Sequence, residues 1–133
     1  WQPYTPTLTN ITIGNGTLSC KYMRAGKKCS VRWWLKFGTT TTMGTDPATS
    51  LPLTAAALVA TANVMQQGVC ALFDNSANAY NYGYFGAMST TQASLRVLNA
   101  SVTYGYVAVI APTVPFTWAN LDEIGGTFDY DLA

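Results

Sequence analysis

The chain has 133 residues, 49% of them hydrophobic and only 10% charged, with a net charge of +1. That is one domain's worth of chain with enough apolar side chains for a single core, and the balance excludes a disordered polymer. The near-neutral sum recruits no nucleic acid, and no apolar run reaches the about 20 residues that a membrane helix needs.

The first clear unit in chain order is a hairpin over residues 16–37. Leu18, Cys20 and Tyr22 alternate with Ser19, Lys21 and Met23, and Val31, Trp33, Leu35 and Phe37 alternate with Arg32, Trp34 and Lys36. Period two means strands with one apolar and one charged face. Gly26 suits the left-handed closing position of a turn through Met23-Arg24-Ala25-Gly26. Apolar residues are even-numbered on the first strand and odd-numbered on the second, so facing pairs must sum to an odd number. A sum of 49 sets Cys20 opposite Cys29, and a sum of 51 sets Tyr22 opposite Cys29. Cys70 makes the cysteine count odd, which argues against a disulfide scaffold. Free thiols are expected, with a Cys20–Cys29 bridge as the alternative that the first register permits.

Residues 39–49 read as a polar loop. The Ala-rich stretch 55–65 allows a short helix, or a strand and a turn. Strands are expected near 69–73, 79–88, 93–98 and 101–110. Pro112 and Pro115 interrupt the chain before Phe116-Thr-Trp118. A last strand sets Phe128, Tyr130 and Leu132 against Asp129 and Asp131, after a flexible Gly125-Gly126 pair. Lys21, Arg24, Lys27, Lys28, Arg32 and Lys36 crowd the hairpin, while Asp122, Glu123, Asp129 and Asp131 lie near the end. The two segments suit pairing as neighbouring strands, each exposed ion pair adding ~0–1 kcal/mol. Short strands punctuated by turn residues predict an all-β fold: a two-sheet antiparallel β-sandwich of jelly-roll type, with at most one short helix, in a single domain over 1–133.

Histidine is absent. That removes the commonest general base and metal ligand, and with them the Ser-His-Asp and Cys-His arrangements. No C-x-x-C spacing exists, so neither metal nor cofactor is expected. Asp122 and Glu123 are adjacent and point to opposite faces of a strand. Asp129 and Asp131 read as solvent-facing, which leaves no carboxylate pair across a cleft for a glycosidase. The aromatic residues are more informative. Tyr80, Tyr82 and Tyr84 share one face of a strand, with Asn78 and Asn81 among them and Gly83 and Gly86 leaving backbone accessible. Flat apolar rings beside amides suit sugar binding, and they equally suit a packed sandwich or a subunit seam. Asn78, Tyr80, Asn81, Tyr82 and Tyr84 are therefore candidate glycan-binding residues. Trp34 falls on the charged face beside Arg32 and Lys36. It suits cover by a neighbouring subunit, or stacking with a cation, and is a candidate oligomer-interface residue.

Four blocks carry a family resemblance. They are Trp1-Gln-Pro-Tyr-Thr-Pro-Thr-Leu-Thr; Gly16-Thr-Leu-Ser-Cys-Lys-Tyr22 with Gly26-Lys-Lys-Cys-Ser-Val31; Ser50-Leu-Pro-Leu-Thr-Ala-Ala56; and Val114-Pro-Phe-Thr-Trp-Ala119 with Gly126-Thr-Phe-Asp-Tyr130. In this order they resemble the distal, C-terminal β-sandwich domain of bacteriophage minor tail and tail-fibre proteins, especially in phages of actinobacteria. Cys20 and Cys29 depart from the pattern, where a small and a β-branched residue are expected, and Asp129 and Asp131 are particular to this chain. None of the blocks is a catalytic motif. The resemblance implies a sandwich on a multimeric tail appendage of the virion, a homotrimer continuous with the rest of the fibre and assembled in the host cytoplasm. Low charge and Trp34 on the polar face point the same way, to a surface covered by a partner or by the rest of a longer chain. Three functions are weighed: a non-catalytic receptor-binding domain for host cell-wall polysaccharide or another surface glycan; a structural trimerisation or capping domain; and a glycan depolymerase.

Overall fold

The computed structural model describes residues 1–57, 66–87, 89–100, 103 and 105–133. Its elements are the strands β1 (Gln2–Pro3), β2 (Leu8–Thr12), β3 (Thr17–Ala25), β4 (Lys28–Lys36), β5 (Thr42–Ser50), β6 (Gln66–Asp74), β7 (Ala79–Ala87), β8 (Gln92–Asn99), β9 (Tyr106–Val109) and β10 (Glu123–Asp131). They pair antiparallel in the order β1-β3-β4-β10-β6-β7-β8-β5-β2, with β9 beside β8. The all-β antiparallel class is the one the sequence predicts. The two expected layers are the halves of one continuous ladder that curls into a half-barrel. Curling brings β4 onto β5, five places away in the ladder: the Trp33 indole N–H donates to the Thr49 hydroxyl at 3.1 Å. Phe85 on β7 meets the same indole edge-on at 6.1 Å, and Phe128 on β10 lies 4.6 Å from Phe85. Leu35, Leu72, Leu95 and Ile124 are fully buried around these rings. Each such side chain contributes about 1.5–3 kcal/mol by leaving water.

The β3–β4 hairpin has the predicted faces and a different register. Ala25 faces Lys28, so facing pairs sum to 53, not 49 or 51. The odd parity holds. The loop is the two-residue Gly26-Lys27, with Gly26 at φ 59°. A left-handed first loop residue matches the right-handed strand twist, which favours this tight turn over the expected four-residue one. Cys20 accordingly faces Trp33, and Cys29 faces Arg24. The two cysteines are four strand positions out of register, roughly 13 Å along the strand. A bridge needs Cα atoms within about 7 Å, and all three cysteines are free and buried.

Burial sets the acid–base behaviour of this interior. It pushes the Cys20 and Cys70 thiols up to about 12, and it raises Tyr4 and Tyr130 above the ordinary tyrosine range. A folded pKa above the unfolded one means stability that is complete below the unfolded value of about 9 and lost as pH climbs towards 12. Thermal melts are expected to be flat from pH 7 to 9 and to fall steadily above it; a midpoint unchanged at pH 11 would contradict this. Native protein should also react slowly with a thiol reagent at pH 8, and denatured unreduced protein should release three thiols.

Three other local readings change. Residues 39–49 are not a polar loop: most of them form β5, with Met43, Ala48 and Thr49 buried. Threonine is β-branched and suits a strand. The alternation there is broken by Asp46 at φ 58°, beside Asn10 of β2, which is also left-handed at the register shift between Thr9 and Ile11. The Gly125-Gly126 pair is not a flexible lead-in but lies inside β10, between β4 and β6. Of the strand expected at 101–110, residues 101, 102 and 104 lie outside the described residues and the described strand is β9. Ala55 bridges to Leu132, and the rest of the ambiguous 55–65 stretch lies mostly outside the described residues. The basic and acidic segments do pair, as β4 and β10, with Lys36 and Glu123 in an ion pair at 3.2 Å.

Candidate functional site

Alternation along five consecutive strands puts one set of side chains outside the half-barrel. Register then sorts them into rows that cross the sheet. Ser19, Trp34, Gly125, Ala71 and Tyr82 form one row from β3 to β7. Thr17, Lys36, Glu123, Phe73 and Tyr80 form the row on one side of it, and Lys21, Arg32, Thr127, Val69 and Tyr84 the row on the other. The central row therefore has an aromatic ring near each end and two small residues between them. Trp34 and Tyr82 stand three strand spacings apart, roughly 14 Å.

The rings are accessible. Tyr80 and Tyr82 are each 62% exposed, although Tyr80 also leans on Phe73 with ring centroids 4.8 Å apart. Trp34 is half-buried over Gly125, and its indole N–H donates to Glu123 Oε2 at 2.9 Å. The floor is close beneath the ring: a Cβ on Gly125 would sit 3.1 Å from Trp34 Cδ1, so the indole would have to give by a few tenths of an ångström. An open depression of about 470 Å³ lies on one side of the indole, against Lys21, Arg32 and Thr127. Another of about 250 Å³ lies on the other side, against Ala71, Phe73 and Tyr80.

Electrostatics are uneven across this face. Among the described residues the ion pairs are Lys36–Glu123 and Arg96–Asp46. Lys21 and Arg32 are in neither, and the Arg32 guanidinium stacks over the Trp1 ring at 4.2 Å. The nearest carboxylate in the register is Asp129, one row farther along and opposite Ser30.

The sequence-predicted residues separate. Tyr80, Tyr82 and Tyr84 share the outer face as expected. Asn81 does not join them: it pairs with buried Leu72, faces the other way, and lines a different depression beside Val97 and Val114. Its odd number already implies this. Asn78 is in the β6–β7 turn at φ 49° and belongs to the chain reversal, not to the outer rows. That turn is organised by Asp74, whose carboxylate accepts from Ser76 and Ala77 and is held below its ordinary pKa by those bonds. Trp34, the candidate seam residue, lies in the central row of the aromatic strip. Sequence reasoning sets Arg32 beside Trp34 but misses Phe73 and Gly125, because Phe73 meets Tyr80 only through the β6–β7 pairing and Gly125 reaches Trp34 only through β4–β10. Asp122, one of the few acids, is buried and accepts from the Ala119 and Asn75 backbone N–H groups, so it fixes a loop. Among the described residues no group of three or more His, Cys, Asp or Glu side chains is placed to hold a metal ion.

Comparison with protein-family models, with curated proteins and with solved structures returns no match.

Proposed function

We propose that this chain is a non-catalytic adhesion domain at the distal end of a phage tail fibre, trimeric in the virion, and that its outer aromatic face binds a host cell-wall polysaccharide or another surface glycan. The observation that carries the binding reading is the central row: Trp34 and Tyr82 flank a floor made of Gly125 and Ala71. Rings with open faces take the apolar face of a sugar, and a floor without large side chains lets the sugar approach the sheet. The four sequence blocks that resemble tail-fibre domains supply the phage and trimer part of the reading.

Single-site affinity on so open a face is weak, in the micromolar to millimolar range, because ordering the sugar offsets much of the stacking. Several copies on one appendage raise it by ~10²–10⁴-fold through effective concentration. A deep pocket is not required.

The test is Trp34→Ala combined with Tyr82→Ala. Two stacked rings contribute about 1–3 kcal/mol together, so binding to isolated host cell walls should fall about tenfold to a hundredfold while the fold is retained. Undiminished wall binding by the folded double variant refutes the site. Loss of trimer with retained monomer fold, measured by light scattering on the full-length parent protein, assigns the face to a subunit seam and favours the structural reading.

A further inference from the structure

Resting on that reading, we infer that the glycan taken by the outer face is acidic, a polymer carrying carboxylates that meet Lys21 and Arg32. These two residues face each other on β3 and β4. They lie one row from Trp34 on the same face, about 7 Å along the strand. A pyranose stacked on the indole therefore brings its ring substituents within reach of both cations. The depression between them is also lined by Thr127 and Ser19, whose hydroxyls suit the sugar's own.

The charge at this end is not spent on the protein. Lys36 is paired with Glu123 and Arg96 with Asp46, whereas Lys21 and Arg32 are in no ion pair with a described residue. Asp129 stands one row away and offsets one of the two charges at most. The Arg32 guanidinium carbon lies over the Trp1 ring at 4.2 Å, and its planar fork of donors suits a bidentate partner. Phosphate and carboxylate both fit that fork. A polyol phosphate, however, has no ring for Trp34, Tyr80 and Tyr82 to stack on, whereas a uronic-acid polymer supplies flat ring faces and charge together. The strip is also long enough for several sugars, four strand spacings from β3 to β7, or roughly 19 Å.

The experiment measures binding of the 133-residue chain to immobilised polygalacturonate, its fully methyl-esterified form, poly(glycerol phosphate) and dextran, at two salt concentrations. Polygalacturonate should bind at least tenfold more tightly than the ester, and the advantage should shrink in high salt. Lys21→Gln with Arg32→Gln, both at surface positions, should remove that advantage, so that acid and ester bind alike. Trp34→Ala should weaken acid and ester alike. Equal binding of acid and ester, tighter binding of poly(glycerol phosphate), or an acid preference that survives the Lys21/Arg32 double variant overturns the inference while the aromatic face stands. Binding to none of the four polymers also overturns it, and the cell-wall assay with the Trp34/Tyr82 double variant then judges the face separately.

Discussion

A Trp33→Ala protein is expected to lose about 3–5 kcal/mol of folding stability. Total stability for a domain of this kind is about 5–15 kcal/mol, so the variant is at best marginally folded at 37 °C. Trp33 is 1% exposed and is the largest fully buried side chain. Its indole fills the space where the sheet closes on itself, against Phe85, with Gly126 facing it on β10. Truncation leaves a cavity that the surrounding backbone cannot collapse into, because the ladder on both sides is fixed. It also removes the N–H that donates to the buried Thr49 hydroxyl, which keeps only its long 3.5 Å bond to the Ser50 carbonyl, and the weakened pairing adds its own cost. The check is urea denaturation: the midpoint should fall sharply with little change in slope. Trp33→Phe keeps most of the volume and loses only the hydrogen bond, so it should recover more than half of the stability. A Trp33→Ala protein whose stability stays within about 0.5 kcal/mol of the parent, inside the ordinary scatter of surface substitutions, would mean that the two halves of the sheet do not depend on this contact.

A Gly83→Ala protein is expected to lose about 3 kcal/mol, for a different reason. A Cβ at position 83 would stand 1.9 Å from the Arg96 carbonyl oxygen and 3.2 Å from Cys70 Sγ. The obstacle is backbone, so β8 must move rather than a side chain rotate. Arg96 also holds Asp46 of β5 through its ion pair, which transmits the displacement to the next strand. Gly26→Ala is the control. Gly26 has φ 59°, and a methyl group added there would have nothing within 4 Å of it. Only the left-handed conformation is then penalised, by about 1 kcal/mol. Equal destabilisation by the two substitutions would show that close strand approach at Gly83 carries no special cost.

These glycines show where reading from sequence stops. In the sequence Gly83 and Gly86 read as leaving backbone accessible and Gly126 as part of a flexible lead-in, whereas Gly83 and Gly86 are buried inside β7 and Gly126 lies inside β10. In the sheet Gly83 and Gly126 occupy one row with Trp33 and Cys70, and the absence of side chains is what lets the indole and the neighbouring backbone pack together. Nothing local to residues 125–126 reveals that β4 and β6 lie on either side of them.

What the sequence determines by itself is governed by the period of a strand. Alternation at Cys29, Val31, Trp33 and Leu35 fixes which face is buried. It fixes the odd pairing parity of the hairpin, puts Tyr80, Tyr82 and Tyr84 on a common face, and separates Asn81 from them. Charge segregation is similarly legible, because Lys36 and Glu123 attract whatever the topology between them. Register, strand order and curvature are decided only in three dimensions. A two-residue or a four-residue loop both satisfy the parity; the right-handed twist selects the shorter one and moves Cys20 away from Cys29. β10 inserts between β4 and β6 because its inner face carries the buried Ile124, Phe128 and Tyr130, while Gly126 leaves room for the large Trp33 beside it. That insertion, joining segments 89 residues apart at Trp34 and Glu123, is what sets Trp34 beside Gly125 and across from Tyr82. The candidate site is made of cross-strand neighbours, and cross-strand neighbours follow from long-range pairing that no local pattern encodes.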